Sequence, residues 1–230
     1  MIRLDRFICN ATALSRSQAQ REIRAGRVSV DGVTTKRAAT PISLSASVSL
    51  AGERVAPPLP RYLMLHKPLG VVCATRDPTH RTAIDLLDLP NPEGLHFAGR
   101  LDIDTTGLVL ISDDGQWTHR IVSPGRRCAK RYRVGLAEAP EEAQLQRLCG
   151  GILLRGEQHP TRPSRVERIG EREILLSITE GRYHQVKRML AALGHSVVRL
   201  HREAIGALEL DSELGPGVFR PLRADEVAMF

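Results

Sequence analysis

The stretch AGRLDIDTTGLVLISDDG, residues 98–115, decides how the larger part of this chain is read. The apolar run from Leu108 to Ser112 suits a buried strand, and Thr105-Thr106-Gly107 turns the chain into it. Ahead of that turn Asp102 and Asp104 stand two residues apart, so an extended backbone points both carboxylates to one side, near Arg100. Either the acids cap the turn, or one of them reacts.

Further strands flank this one. RYLMLHKPLGVVCAT (61–75) reads as two strands around the turn Lys67-Pro68-Leu69-Gly70, and RYRVGL (131–136) and EILLSIT (173–179) alternate or run apolar in the same way. The clearest helix is expected over 182–193, where Val186, Met189, Leu190 and Leu193 form an apolar stripe that Gly194 ends. Other helices are expected near 82–88, 114–122 and 140–149. Residues 59–230 should therefore form an α/β domain of the α+β type, built on a mixed, mainly antiparallel sheet with flanking helices.

Residues 1–58 follow a different plan. Leu4, Phe7, Ile8 and Ala11 keep helical spacing, and Ser15 with Gln18 is a capping box that opens a second helix before Gly26 stops it. RVSVDGVTT then alternates around Asp31-Gly32, a hairpin signal. Arg16, Gln20, Arg24 and Arg27 fall near one face of the second helix, with Arg21 close by, forming a cationic ridge suited to phosphates. These 58 residues carry nine Lys/Arg against four Asp/Glu, most of the chain's net charge of +7. Pro57, Pro58 and Pro60 make the following segment a stiff linker, which places the domain boundary near residue 59.

A chain of 230 residues with 42% hydrophobic content can fill a core, and its basic surplus favours polyanionic partners. Cys9, Cys73, Cys128 and Cys149 are far apart and form no CxxC pair, which suggests reduced thiols rather than a zinc site or disulfide framework. His66, His96, His119 and His201 show no metal-ligand spacing. No segment reaches membrane-spanning length, and Asp5 and Arg6 interrupt any signal-like run, so a cytoplasmic protein without a membrane partner is expected.

Asp102-Ile-Asp104 also matches the Asp-x-Asp-x-Thr pattern of haloacid-dehalogenase-type phosphatases. That chemistry needs an apolar strand leading into the first Asp and Mg²⁺ ligands well downstream. Here Gly99 and Arg100 interrupt the approach, and Asp113-Asp114 follow too closely. Gly99-Arg100-Leu101-Asp102-Ile103-Asp104-Thr105-Thr106-Gly107-Leu108 instead resembles the signature of the pseudouridine synthases. Lys67-Pro68-Leu69-Gly70, Lys130-Arg131-Tyr132 and the run Gly181 to Met189 match that family's other motifs in order. Residues 1–48 resemble the S4 RNA-binding domain. Tyr183-His184 stands where large-subunit rRNA synthases usually carry Asn-Arg, which points to the branch acting on 16S rRNA.

The resemblance implies isomerisation of a uridine everted from its stack, with neither cofactor nor metal. It makes Asp102 the group that attacks C1′ or assists departure of the base, with Lys187 as the cation that keeps it charged. Tyr132 would stack on the base and accept the C5 proton, and Arg100 would fill the vacated space or hold a phosphate. His184, Lys187 and Arg188 would share one helix face toward the site, with Arg182 beside them as a further substrate contact. Asp104 is expected to orient the loop. The expected partner is 16S rRNA, free or in a partly assembled small subunit, bound by a monomer. A large-subunit rRNA synthase and a non-enzymatic RNA-binding assembly factor are the alternatives.

Overall fold

A computed structural model describes residues 1–89 and 92–230. The chain forms two compact units, Met1–Pro60 with Asp88–Gly94, and Arg61–Leu87 with Leu95–Phe230.

In the first unit β1 (Ile2–Arg3) leads into α1 (Leu4–Ala11) and α2 (Arg16–Arg24). The expected capping box is formed: the Gln18 amide donates to Ser15 Oγ, and Gln18 Oε1 accepts from the Ser15 amide at 2.8 Å. The strands β2 (Val28–Val30), β3 (Val33–Thr34), β5 (Val48–Leu50) and β6 (Glu53–Val55) make an antiparallel sheet in the order β3-β2-β5-β6, while β4 (Pro41–Ile42) pairs with β1. Asp31 and Gly32 both adopt left-handed backbone, as a tight hairpin requires. Leu4, Phe7, Ile8, Ala19, Ile23, Val28 and Val48 are buried together. Among them lies the carboxylate of Asp5, which accepts from Arg3, Gln20 and Arg16. Burial raises its pKa, but the hydrogen bonds from Arg3 and Gln20 outweigh that and hold it down at about 2.

The second unit is one large sheet with short helices. Its strands are β7 (Tyr62–Lys67), β8 (His96–Phe97), β9 (Thr106–Ser112), β10 (Lys130–Leu136), β11 (Arg165–Arg168), β12 (Glu173–Ile178), β13 (Val197–Ile205), β14 (Leu208–Glu209) and β15 (Phe219–Pro221). They run in the order β11-β12-β10-β13-β9-β7-β15, with β14 added to β13 and β8 to β9. Of the pairings described, β13 with β9 is parallel and the others are antiparallel. The helices are α3 (Gly115–Val122), α4 (Glu142–Gly150), α5 (Gln185–Ala191) and α6 (Ala224–Val227). Met64, Leu108, Leu110, Trp117, Ile121 and Ile205 pack as one apolar cluster.

Four local expectations change. The second strand expected after Gly70 reduces to a bridge between Val72 and Thr82. The helix expected at 82–88 is a single 3-10 turn, Ile84–Leu86: the Thr82 amide donates to Asp85 and the Asp85 amide to the Thr82 hydroxyl, a capping-box pattern that opens it, and the chain is already extended at Leu87. The helix expected from 182 begins only at Gln185, because His184 takes a left-handed conformation with φ of 48°. The nine-residue strand β13 was not anticipated, since its buried side carries Arg202 between Leu200 and Ala204 and so breaks the apolar alternation. Beside it Gly107 has φ of 110°, and a Cβ there would overlap the Arg202 backbone, so only glycine lets β9 lie against β13.

Candidate active site

Asp102 stands in the turn that enters β9, where the Thr105 amide donates to its carbonyl at 3.1 Å. Two further contacts fix the turn. The Gly70 amide donates to Ile103 O at 2.9 Å, and the fully buried Lys67 donates from Nζ to Thr105 O at 2.7 Å and Pro68 O at 3.0 Å. Lys67 is thus an anchor of the loop, and burial pushes its pKa down.

The helix α5 brings Lys187 to this turn, with Nζ 3.1 Å from Asp102 Oδ2 and also bonded to Asp104 Oδ1. Burial works against the ammonium, but the hydrogen bonds to Asp104 and Asp102 prevail and raise its pKa. The same bond from Lys187 holds the Asp104 carboxyl below its ordinary range. Asp104 is therefore more than a loop-orienting residue: it shares the cation assigned to Asp102. His184 approaches from the other side, its Nε2 3.4 Å from Asp102 Oδ1. It precedes α5 rather than lying on it, so the helix-face trio expected with Lys187 and Arg188 does not form; its ring instead stacks on Tyr183 at 3.8 Å.

Asp102, Lys187 and His184 line a cleft of about 570 Å³, a size suited to a nucleotide. Tyr132 from β10 and the exposed Arg100 line it too, with Val72, Ile178, Val186 and Leu200 among its apolar residues. Arg182 also lines it, but its guanidinium donates to Glu157 Oε2 at 2.8 Å, to His159 O at 2.9 Å and to Pro160 O at 2.7 Å. Arg188 is not among the lining residues and bonds to Glu157 Oε1 at 2.8 Å and Arg155 O at 3.0 Å. Both arginines tie the 155–160 loop to the region around α5.

The lining residues not singled out from the sequence as site residues include Lys130, Arg202 and Thr105. Lys130 and Arg202 are buried cations, and Thr105 has a buried hydroxyl with no hydrogen-bond partner among the described residues. Lys130 stood within the KRY motif, but Arg202 sat in the unforeseen strand. The phosphatase reading finds no support in the side chains: Asp113 pairs with Arg61, Asp114 caps α3, and no cluster of three or more metal-ligating side chains occurs among the described residues.

On the first unit, Arg21 and Arg24 are exposed on α2 and make no ion pair among the described residues. Arg16 lies 3.4 Å from Asp5, and Arg27 pairs with Glu22. No described helix is long and apolar enough to cross a membrane.

A carboxylate held by the Lys187 ammonium and close to His184, facing a cleft that a tyrosine also lines, suits chemistry at an electron-poor carbon. Residues 61–192 match the RNA pseudouridylate synthase family and residues 2–48 match the S4 domain. The chain belongs to the RNA pseudouridylate synthase family and is an enzyme with an S4 domain. It is 49% identical over 227 residues to ribosomal small subunit pseudouridine synthase A of Vibrio cholerae, covering 99% of this chain and 98% of the relative. It is 48% identical over 228 residues to the protein of that name in Escherichia coli, covering 99% of each. Among solved structures, a pseudouridylate synthase crystal structure matches with a TM-score of 0.72 at 45% identity, covering 100% of this chain and 99% of that one.

Proposed function

We propose that this protein converts one uridine of 16S rRNA to pseudouridine, with Asp102 as the catalytic group acting on a nucleotide everted into the cleft. The observation that carries the reading is the Asp102–Lys187 ion pair, 3.1 Å long, in a cleft shared with Tyr132. The near full-length likeness to enzymes named for the ribosomal small subunit supports the choice of RNA.

The N1–C1′ bond of the uridine breaks, the base turns, and C5 rejoins C1′. Asp102 either attacks C1′ or assists departure of the base, and the Lys187 ammonium balances its charge. Tyr132 stacks against the base and takes the C5 proton. Arg100, exposed at the cleft, meets a phosphate or fills the space the base leaves, and Arg182, His184 and Arg188 shape the substrate side of the site. Residues 1–58 grip the RNA through Arg16, Arg21, Arg24 and Arg27, while residues 59–230 carry the chemistry. The protein acts in the cytoplasm as a monomer, on free rRNA or a partly assembled small subunit, and the chemistry requires no cofactor.

The test is to map pseudouridines after incubating the protein with rRNA of both subunits. A single new site in 16S rRNA, lost in Asp102→Asn while RNA binding persists, is the expected result. Modification of large-subunit rRNA alone, or none by the unaltered protein, would overturn it.

A further inference from the structure

The cleft holds more buried positive charge than the chemistry at Asp102 uses. Lys130 on β10 is 8% exposed and Arg202 on the adjacent β13 is 2% exposed, and both line the cleft with Tyr132. Neither makes an ion pair with a carboxylate among the described residues. Lys130 Nζ donates to Cys128 O at 2.7 Å and Ile121 O at 3.4 Å. Arg202 Nε donates to Leu108 O at 2.8 Å, and Nη1 reaches Arg100 O and the Tyr132 hydroxyl at 3.5 Å each. Its Nη2 has no hydrogen-bond partner among the described residues. Burial pushes the Lys130 ammonium down, and the Arg202 charge adds to the effect.

Buried charges are ordinarily paired, because an unpaired one loses its hydration with nothing in return. Two such cations on adjacent strands in one cleft therefore call for an anion that arrives with the substrate. A nucleotide offers two. Its phosphate belongs to the RNA backbone and suits the exposed Arg100. Its base travels deepest, and buried donors meet the base edge first.

We infer that Arg202, backed by Lys130, is the subsite for the uracil anion formed during the reaction, with Nη2 donating to a carbonyl oxygen of the base. This rests on the uridine-isomerising reading. When N1–C1′ breaks, the bonding electron pair leaves with the base, and either C1′ gains a bond to an Asp102 oxygen or C2′ gives up its proton to the Asp102 carboxylate, leaving a C1′=C2′ glycal. On both routes the base is an anion with charge on N1, O2 and O4 and nucleophilic character at C5. A donor fixed on a carbonyl oxygen lowers the barrier to cleavage and keeps the anion in the cleft while it turns. The C5–C1′ bond then forms as the Asp102 oxygen leaves C1′ or the proton returns to C2′, and the C5 proton departs while N1 gains one, so the base ends neutral and the subsite is ready for release.

Replacing a uracil oxygen by sulfur removes a strong hydrogen-bond acceptor while leaving the rest of the base in place. Single-turnover rates are compared for rRNA carrying uridine, 2-thiouridine or 4-thiouridine at the target, with the unaltered protein and with Arg202→Gln. The variant is expected to slow the uridine substrate roughly ten- to a hundredfold. At one of the two sulfur positions the penalty seen with the unaltered protein, about tenfold, should vanish in the variant, because the bond it breaks is already gone. Penalties that simply multiply at both positions would overturn the inference, since a structural role for Arg202 predicts that pattern. A second measurement needs no variant: calorimetric binding of 5-nitrouracil, which ionises readily, against uracil. Tighter binding of 5-nitrouracil by about tenfold as it ionises is expected; equal affinity, or no binding of either, counts against an anion subsite. An unaltered protein that makes no pseudouridine would defeat the functional reading itself, whereas an active protein with multiplying penalties removes only the role of Arg202.

Discussion

Lys187 Nζ bonds Asp102 Oδ2 at 3.1 Å and at the same time bonds Asp104, so one cation serves two carboxylates of unequal exposure. The Asp102 side chain is 30% exposed and Asp104 is 64% exposed. Water screens a charge pair less at the better-buried carboxylate, Asp102. Lys187→Met should therefore lower kcat about a hundredfold, the scale of removing one electrostatic stabiliser from a reacting group, with little change in RNA affinity. Steady-state kinetics beside filter binding checks the split.

Asp104 sets how far into alkali Lys187 stays charged. The folded-state pKa of Lys187 lies above its ordinary value of 10.5, so the ion pair is intact below that value and is lost as pH rises through the raised one. Asp104→Ala removes the leading favourable interaction, and the alkaline limb of kcat/KM should move to lower pH. An unmoved limb in a pH–rate profile would separate Lys187 ionisation from activity.

Gly107→Ala should destabilise the second unit by about 3 kcal/mol or more, from overpacking and backbone strain together. The added Cβ meets the backbone of Arg202, which no side-chain rotation relieves, and φ of 110° is unfavourable to any other residue. Denaturant titration followed by Trp117 fluorescence reads the loss, because that ring is buried in the same unit.

The four arginines of the basic helix should contribute unequally to RNA binding. Arg16 and Arg27 already face Asp5 and Glu22, whereas Arg21 and Arg24 are exposed and make no such pair among the described residues. Each phosphate that is no longer neutralised should flatten the log–log salt dependence of binding by about 0.7–0.9. Arg21→Gln with Arg24→Gln should approach twice that change, and Arg27→Gln should fall well short of it. Binding titrations across salt concentrations distinguish the two.

Asp5 makes the first unit acid-sensitive. Its folded pKa of about 2 lies below the ordinary 3.8, so the stabilisation it provides is present above that ordinary value and is lost as pH falls toward 2. Asp5→Asn should lower the melting temperature at neutral pH and remove this part of the acid transition, as circular dichroism at a series of pH values would show.

Much of the architecture was legible in the sequence because it rests on local signals. The Ser15–Gln18 capping box, the Asp31-Gly32 turn and the apolar runs of β9, β10 and β12 each lie within a few residues and carry their own stereochemical reason. Asp102, Tyr132 and Lys187 were found through spaced motifs, and all three line the cleft. The sharing of Lys187 with Asp104, the His184 position outside the helix, and the Lys130–Arg202 wall were not legible. Each depends on which strands become neighbours: Arg202 looks like a surface residue until β13 lies between β9 and β10 and turns it inward. Sequence alone thus determined most of the elements and singled out Asp102 as the candidate carboxylate, since these follow from short-range preference and residue chemistry; tertiary structure alone decided where charge is buried without a carboxylate partner among the described residues, because burial is a property of long-range pairing.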